Sequence, residues 1–194
     1  MKSLPKAEEN LFTFSGLADF LGFHDLACGL ASTPQRLVEL SYGLGQRLAD
    51  NGTGYADAIF NPTHWHAWRR RLGAMLDAMD AGFKEAEQGG LPMKRSNWSM
   101  PCATCAIQGP LKMRVYPSIQ EHPIEQLRAA GVRVSVNTDD PALLGGSLVG
   151  EYGLCRQTFG WTDEITKAVA RTSIEASFAN ANIKANLMQA LNAW

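Results

Sequence analysis

Three short clusters in the sequence bring together the residue types that chemistry needs. They are Asp139-Asp140 ahead of Pro141, the alternating His64-Trp65-His66, and Cys102-Ala103-Thr104-Cys105 behind Pro101. Two adjacent carboxylates at a chain reversal can hold a cation or accept a hydrogen bond from a ring nitrogen. The same Asp-Asp-Pro run equally well starts a turn, since both residue types favour turns. Two histidines at i and i+2 on extended chain point to one side, as a metal clamp would. Their aromatic neighbours offer a second account, surface packing. A Cys-x-x-Cys pair suits a metal or a redox couple, and without a thioredoxin-like context it also arises by chance.

The elements that must position these residues follow from periodicity. Val132 to Thr138 reads as a strand with Val132, Val134 and Val136 on one face, and Arg133, Ser135 and Asn137 leading to Asp139 on the other. Pro141 ends its hydrogen bonding and leaves both carboxylates at the tip. Upstream, Thr33-Pro34 predicts a capped helix with Leu37, Leu40, Leu44 and Leu48 at helical spacing, up to the break at Asn51-Gly52-Thr53-Gly54. Tyr55 to Phe60 predicts a strand. A second helix carries Trp68, Leu72, Met75, Leu76, Met79 and Phe83 on one face and stops at Gly89-Gly90. This helix–strand–helix rhythm predicts a parallel sheet. Met93 to Pro110 breaks the rhythm and reads as irregular. Pro123 to Ala130 predicts a helix ended by Gly131, and the tail predicts helices at Asp163 to Ala170 and Asn180 to Asn192.

Composition sets outer bounds. The 194 residues are 45% hydrophobic and 19% charged, which places the chain among globular proteins rather than disordered ones. A net charge of −1 gives no field for collecting nucleic acid or an anionic membrane. No apolar run is long enough for a bilayer span, and the first residues lack the apolar core of a secretion signal. Four cysteines without an export signal read as free thiols, so a cytoplasmic location is expected.

A set of separated motifs then falls in family order. His122-Pro123-Ile124, Ala130-Gly131-Val132, Ser135 to Pro141, Ser147-Leu148 with Glu151-Tyr152, Ser177-Phe178 and Lys184 together resemble the closing part of the adenosine deaminase family. The match runs from about Val115 to Leu191. It implies a helix-rich α/β fold, the (β/α)8 barrel of metal-dependent hydrolases, and the zinc-dependent hydrolytic deamination of a 6-aminopurine such as adenosine or adenine. It also implies that Asp139 is a zinc ligand and that Asp140 accepts a hydrogen bond from a purine ring nitrogen.

The remainder departs from the family. Leu4 to Glu8 resembles its first strand, but Glu9-Asn10-Leu11-Phe12 stand where a His-x-His zinc pair belongs. Gly54 to Pro62 resembles the second strand. Nothing between Gly90 and Leu111 resembles the family's strand-end His ligand, the Glu that protonates the purine ring, or the His beside the zinc-bound water. A full barrel needs roughly 250 residues. The expectation is therefore one shortened domain, 1–194, with an incomplete barrel. Within it, 1–90 matches the family's N-terminal part, 91–112 is an unmatched junction, and 113–194 matches the C-terminal part. Such a chain is expected to have lost catalysis, since a catalytic zinc usually keeps three protein ligands and one Asp cannot hold it. Two other functions stay open. One is a non-catalytic remnant that associates with itself or a partner through open sheet edges. The other is a small zinc-binding protein using Cys102, Cys105, His64 and His66. Pro101-Cys102-Ala103-Thr104-Cys105 also fits half of the cytidine-type deaminase signature, but no histidine has the required Glu two positions later.

Overall fold

A computed structural model describes residues 14–59, 64–88, 93–96 and 103–194. The segment Leu4–Glu8, the stop at Gly89-Gly90, and Cys102 lie outside the described residues. In chain order the elements begin α1 (Leu17–Leu30), α2 (Pro34–Asp50), β1 (Ala56–Ile59), a 3-10 turn (His66–Trp68), α3 (Leu72–Gln88), β2 (Met93–Ser96) and β3 (Ala103–Cys105). They continue with α4 (Gln108–Lys112), a 3-10 turn (Ile119–Glu121), α5 (Ile124–Ala129), β4 (Val134–Val136), α6 (Pro141–Leu144), α7 (Leu148–Phe159), α8 (Asp163–Ala176) and α9 (Ala181–Ala193). The chain forms two compact units, Met1–Phe20 with Pro101–Ser173, and Leu21–Met100 with Ile174–Trp194.

The second of these units is built on α2 against α3. Thr33 accepts from the Arg36 N–H and Pro34 opens α2, so the expected cap is present. Past Asn51, Gly52 adopts φ 72°, and the N–H groups of Gly52 and Thr53 return to the carbonyls of Ala49 and Leu48. That is a Schellman ending, which explains why the Gly-rich break falls there. Leu37, Ser41 and Gly45 repeat every four residues on α2, and Ala78, Gly82 and Ala86 do so on α3. The small residues let the helices approach closely while Met75, Met79, Phe83, Leu37 and Trp68 fill the core around them. A Cβ on Gly82 would fall onto the Val38 carbonyl oxygen and 2.8 Å from the Ser41 Cβ. Gly82→Ala is accordingly expected to cost about 2 kcal/mol through overpacking, more than the ~1 kcal/mol that alanine contributes by helix propensity. A urea midpoint equal to or above that of the parent would show instead that the helices separate freely.

Strand β1 pairs in parallel with β2, Ala56 opposite Met93 through Ile59 opposite Ser96. Asp57 on β1 accepts from the Tyr55 hydroxyl at 2.6 Å and from the Phe178 N–H at 3.0 Å, which ties the strand to the turn before α9.

In the other unit β3 pairs in parallel with β4, Ala103 opposite Val134 and Cys105 opposite Val136. The stretch Met93 to Pro110, expected to be irregular, thus supplies a strand to each pair and the start of α4. Its short strands have too few residues to show a period. Strand β4 is shorter than the expected Val132 to Thr138 because Val132 is engaged elsewhere. Its N–H and that of Gly131 (φ 79°) bond back to Leu127 and Arg128, completing a Schellman ending on α5. Val134 and Val136 enter a core with Ile107, Ile124, Cys155, Trp161 and Val169. Ser135, on the polar face, is nevertheless fully buried, and its hydroxyl accepts from Asn137 at 2.9 Å. Helices α1 and α7 had no counterpart in the periodicity, and α8 extends six residues beyond its expected end. No helix among the described residues is long and apolar enough to cross a membrane.

Candidate active site

Asp139 and Asp140 follow β4 at its C-terminal end, as the strand reading required. Asp140 caps α6 with its carbonyl, which accepts from Leu143 and Leu144, and Pro141 takes the first helical position. The exposed Asp139 carboxylate leans over α4. A Cβ on the buried Gly109 would come within 3.0 Å of Asp139 Oδ2, so only glycine fits beneath it. Lys112 on the same helix donates from Nζ to the Leu144 carbonyl and closes the α4–α6 corner.

What fixes α4 is Glu151, on α7. Its carboxylate is buried and accepts from the Ile107 N–H at 2.6 Å and the Gln108 N–H at 3.1 Å. Burial pushes the Glu151 carboxyl above its ordinary range, against the opposing pull of those two N–H groups and Lys112. Glu151, part of the family-like Glu151-Tyr152 motif, therefore holds the start of α4.

His122 is the one histidine of this unit, and both its nitrogens are committed. The Ile124 N–H donates to Nδ1 at 3.2 Å, so the proton sits on Nε2, which donates to the Ala106 carbonyl at 3.0 Å. Burial holds its pKa below the usual value, with the Ala106 bond opposing. The ring stacks edge-on to Tyr116 at 5.2 Å and lines a cavity of about 270 Å³ with Cys105, Pro110 and Leu127.

The histidine pair of the other unit is not on extended chain, because His66 opens a 3-10 turn. Both histidines nevertheless face one carboxylate. His64 Nδ1 lies 2.7 Å from Asp25 Oδ1, and His66 Nε2 lies 3.8 Å from the same oxygen. The His24 ring meets the His64 ring edge-on at 4.8 Å.

A zinc centre on Asp139 needs histidines beside it. The unit's single histidine has neither nitrogen to spare, and among the described residues the group of three metal donors that comes together is His24, Asp25 and His64. Among the described residues the donors around Asp139 do not make up a zinc site. Among the described residues Cys105 belongs to no such group, and it is buried on β3.

The family model described as adenosine deaminase matches residues 80–194, more than half of the chain. The chain belongs to the adenosine deaminase family. Adenine deaminase of Rhizobium rhizogenes is 40% identical over 81 residues, which is 42% of this chain and 25% of that protein. The chain thus spans about a quarter of the length of that family member. Among solved structures, the Arabidopsis protein ADAL complexed with IMP aligns with a TM-score of 0.77 at 12% identity, over 92% of this chain and 83% of that one. An amidohydrolase from Burkholderia ambifaria with bound Zn aligns with a TM-score of 0.65 at 12% identity, over 84% of this chain and 73% of that one. At such identities the likeness is one of fold.

Sequence reasoning missed Glu151 as a buried anchor, Gly109 as the seat of Asp139, and His24-Asp25 as partners of His64. Glu151 was visible as part of a family motif. The other two depend on contacts between distant segments and leave no local pattern.

Proposed function

We propose that this is a deaminase-family chain whose parent reaction is the zinc-dependent hydrolytic deamination of a 6-aminopurine, and that it no longer performs that reaction. The observation that carries this reading is the neighbourhood of Asp139, where the one histidine of the unit has both nitrogens spent on backbone groups. A fold of incomplete (β/α)8 type supports it. Two parallel strand pairs, with a helix between β1 and β2 and helices between β3 and β4, are the connections such a barrel uses. On this reading the shortening falls around residues 91–112. Asp140 keeps the position of the carboxylate that would face a purine ring nitrogen, and Asp139 that of the metal ligand.

The test is ammonia release from adenine and from adenosine with added zinc. Rates equal to buffer are expected for both the parent chain and Asp139→Ala. Losing members of a unit that acts together typically costs several orders of magnitude, so a residual rate is not expected. Activity in the parent chain that Asp139→Ala abolishes would overturn the reading.

A second reading rests on the sheets. Among the described residues each has only two strands, leaving backbone donors and acceptors along both outer edges. Such edges template pairing with another chain. Concentration-dependent growth in sedimentation would favour this role, and a monomer at all concentrations would remove it.

A further inference from the structure

Three of the four histidines in the sequence gather at one place in the unit Leu21–Met100 with Ile174–Trp194, around a carboxylate that the family relationship does not use. We propose that His24, Asp25 and His64 bind a divalent transition-metal ion, zinc foremost, with His66 as a fourth donor. One ligand atom from each of the first three lies within 4.8 Å of the others. On a tetrahedron with bonds of about 2.1 Å the donors stand roughly 3.4 Å apart. The two separations from Asp25 Oδ1, 2.7 Å to His64 Nδ1 and 3.8 Å to His66 Nε2, bracket that value. The ion takes the place of the proton shared between His64 and Asp25, and small side-chain rotations complete the sphere.

The donors sit on a firm frame. His24 and Asp25 belong to α1. The segment carrying His64 and His66 is held to the end of α1 by Trp68, which is fully buried and donates from Nε1 to the Ala31 carbonyl at 2.7 Å. Cys28, one turn beyond His24, places its sulfur 3.6 Å from His24 Nδ1 and steadies that ring. Access is open, since the Asp25 and His66 side chains are 42% and 54% exposed. Two or three imidazoles with one carboxylate suit zinc, copper or nickel and disfavour calcium or magnesium, which take oxygen donors. The site is separate from the residues that carry the family reading, so it stands or falls independently of the lost deaminase activity.

The test uses the full chain, stripped by chelator and titrated with zinc by calorimetry and with cobalt by visible absorption. One ion per chain is expected, at micromolar affinity or tighter. Asp25→Ala and His64→Ala should each weaken it at least about 30-fold, with Asp139→Ala unchanged. Zinc should also protect His24 and His64 of the unaltered chain from diethyl pyrocarbonate, which is read without relying on a variant that folds. Absence of stoichiometric binding overturns the proposal, and so does equal binding in all variants or modification of His24 and His64 undiminished by zinc. Binding lost only in Asp139→Ala would place the ion at the family position and overturn it as well.

Discussion

Glu151→Ala is expected to remove about 3 kcal/mol of stability and to release the start of α4. The two N–H groups that Glu151 receives come from Ile107 and Gln108, and Ile107 is buried in the unit's core. A buried donor left without an acceptor costs about 1–3 kcal/mol, and the truncation orphans the buried Ile107 N–H in full and the half-buried Gln108 N–H in part. Part of that loss is offset, because a carboxylate no longer has to be held in a place that disfavours its charge. Glu151→Gln separates the two effects. It keeps an oxygen acceptor for both N–H groups and removes the titration. Because the folded pKa of Glu151 is raised, its favourable contribution is full below the ordinary carboxylate pKa and is lost as pH rises through the folded value. Over that window the parent chain should lose stability relative to Glu151→Gln. Denaturation midpoints for the three proteins between about pH 4 and pH 8 would show it. An alanine variant as stable as the parent would mean that the α4 segment is held by other contacts.

Trp68→Ala is expected to be the most damaging single change in the other unit, at about 4 kcal/mol. Trp68 is fully buried at the meeting point of α2, α3 and the end of α1, and Arg71 stacks over its ring at 4.9 Å from the centroid. Alanine would leave a large cavity and an unanswered Ala31 carbonyl. Trp68→Phe keeps much of the packing and loses only the Nε1 donor, so it should fall midway. In thermal melts the alanine variant should drop by on the order of 10 °C. A drop of only a degree or two would show that α2 and α3 close over the gap.

Much of this architecture was legible in the chain, for stated reasons. Thr33-Pro34, Asn51-Gly52 and Gly131 are residues whose chemistry acts within a few positions, and all three mark helix ends in the structure. The Val-rich strand carrying Asp139 was legible from alternation, although Val132 is taken by the preceding helix ending. Helix α1 was not legible: Leu21, Leu26 and Leu30 are exposed, so no apolar stripe marks it. The strands at Met93–Ser96 and Ala103–Cys105 were hidden because three or four residues carry no usable period. At the site, position along β4 was readable and surroundings were not. The spent nitrogens of His122 depend on Ala106, sixteen residues earlier, and the convergence on Asp25 depends on a segment thirty-nine residues later.

The buried cysteines give each unit a chemical clock. Burial, with smaller contributions from Glu151, Cys105 and Glu125, pushes the Cys155 thiol up to about 12. At neutral pH roughly one molecule in 10⁵ then carries the reactive thiolate there, and the buried sulfur is shielded even in that fraction. Alkylation of Cys155 must wait for α7 to part from the β3–β4 pair, so its rate counts those partings. Cys28, buried on α1 beside His24, keeps the corresponding count for the unit that holds Trp68. Peptide mapping of a labelling time course, which follows Cys28 and Cys155 apart from Cys102 and Cys105, therefore yields an opening free energy for each unit without any substitution having been made.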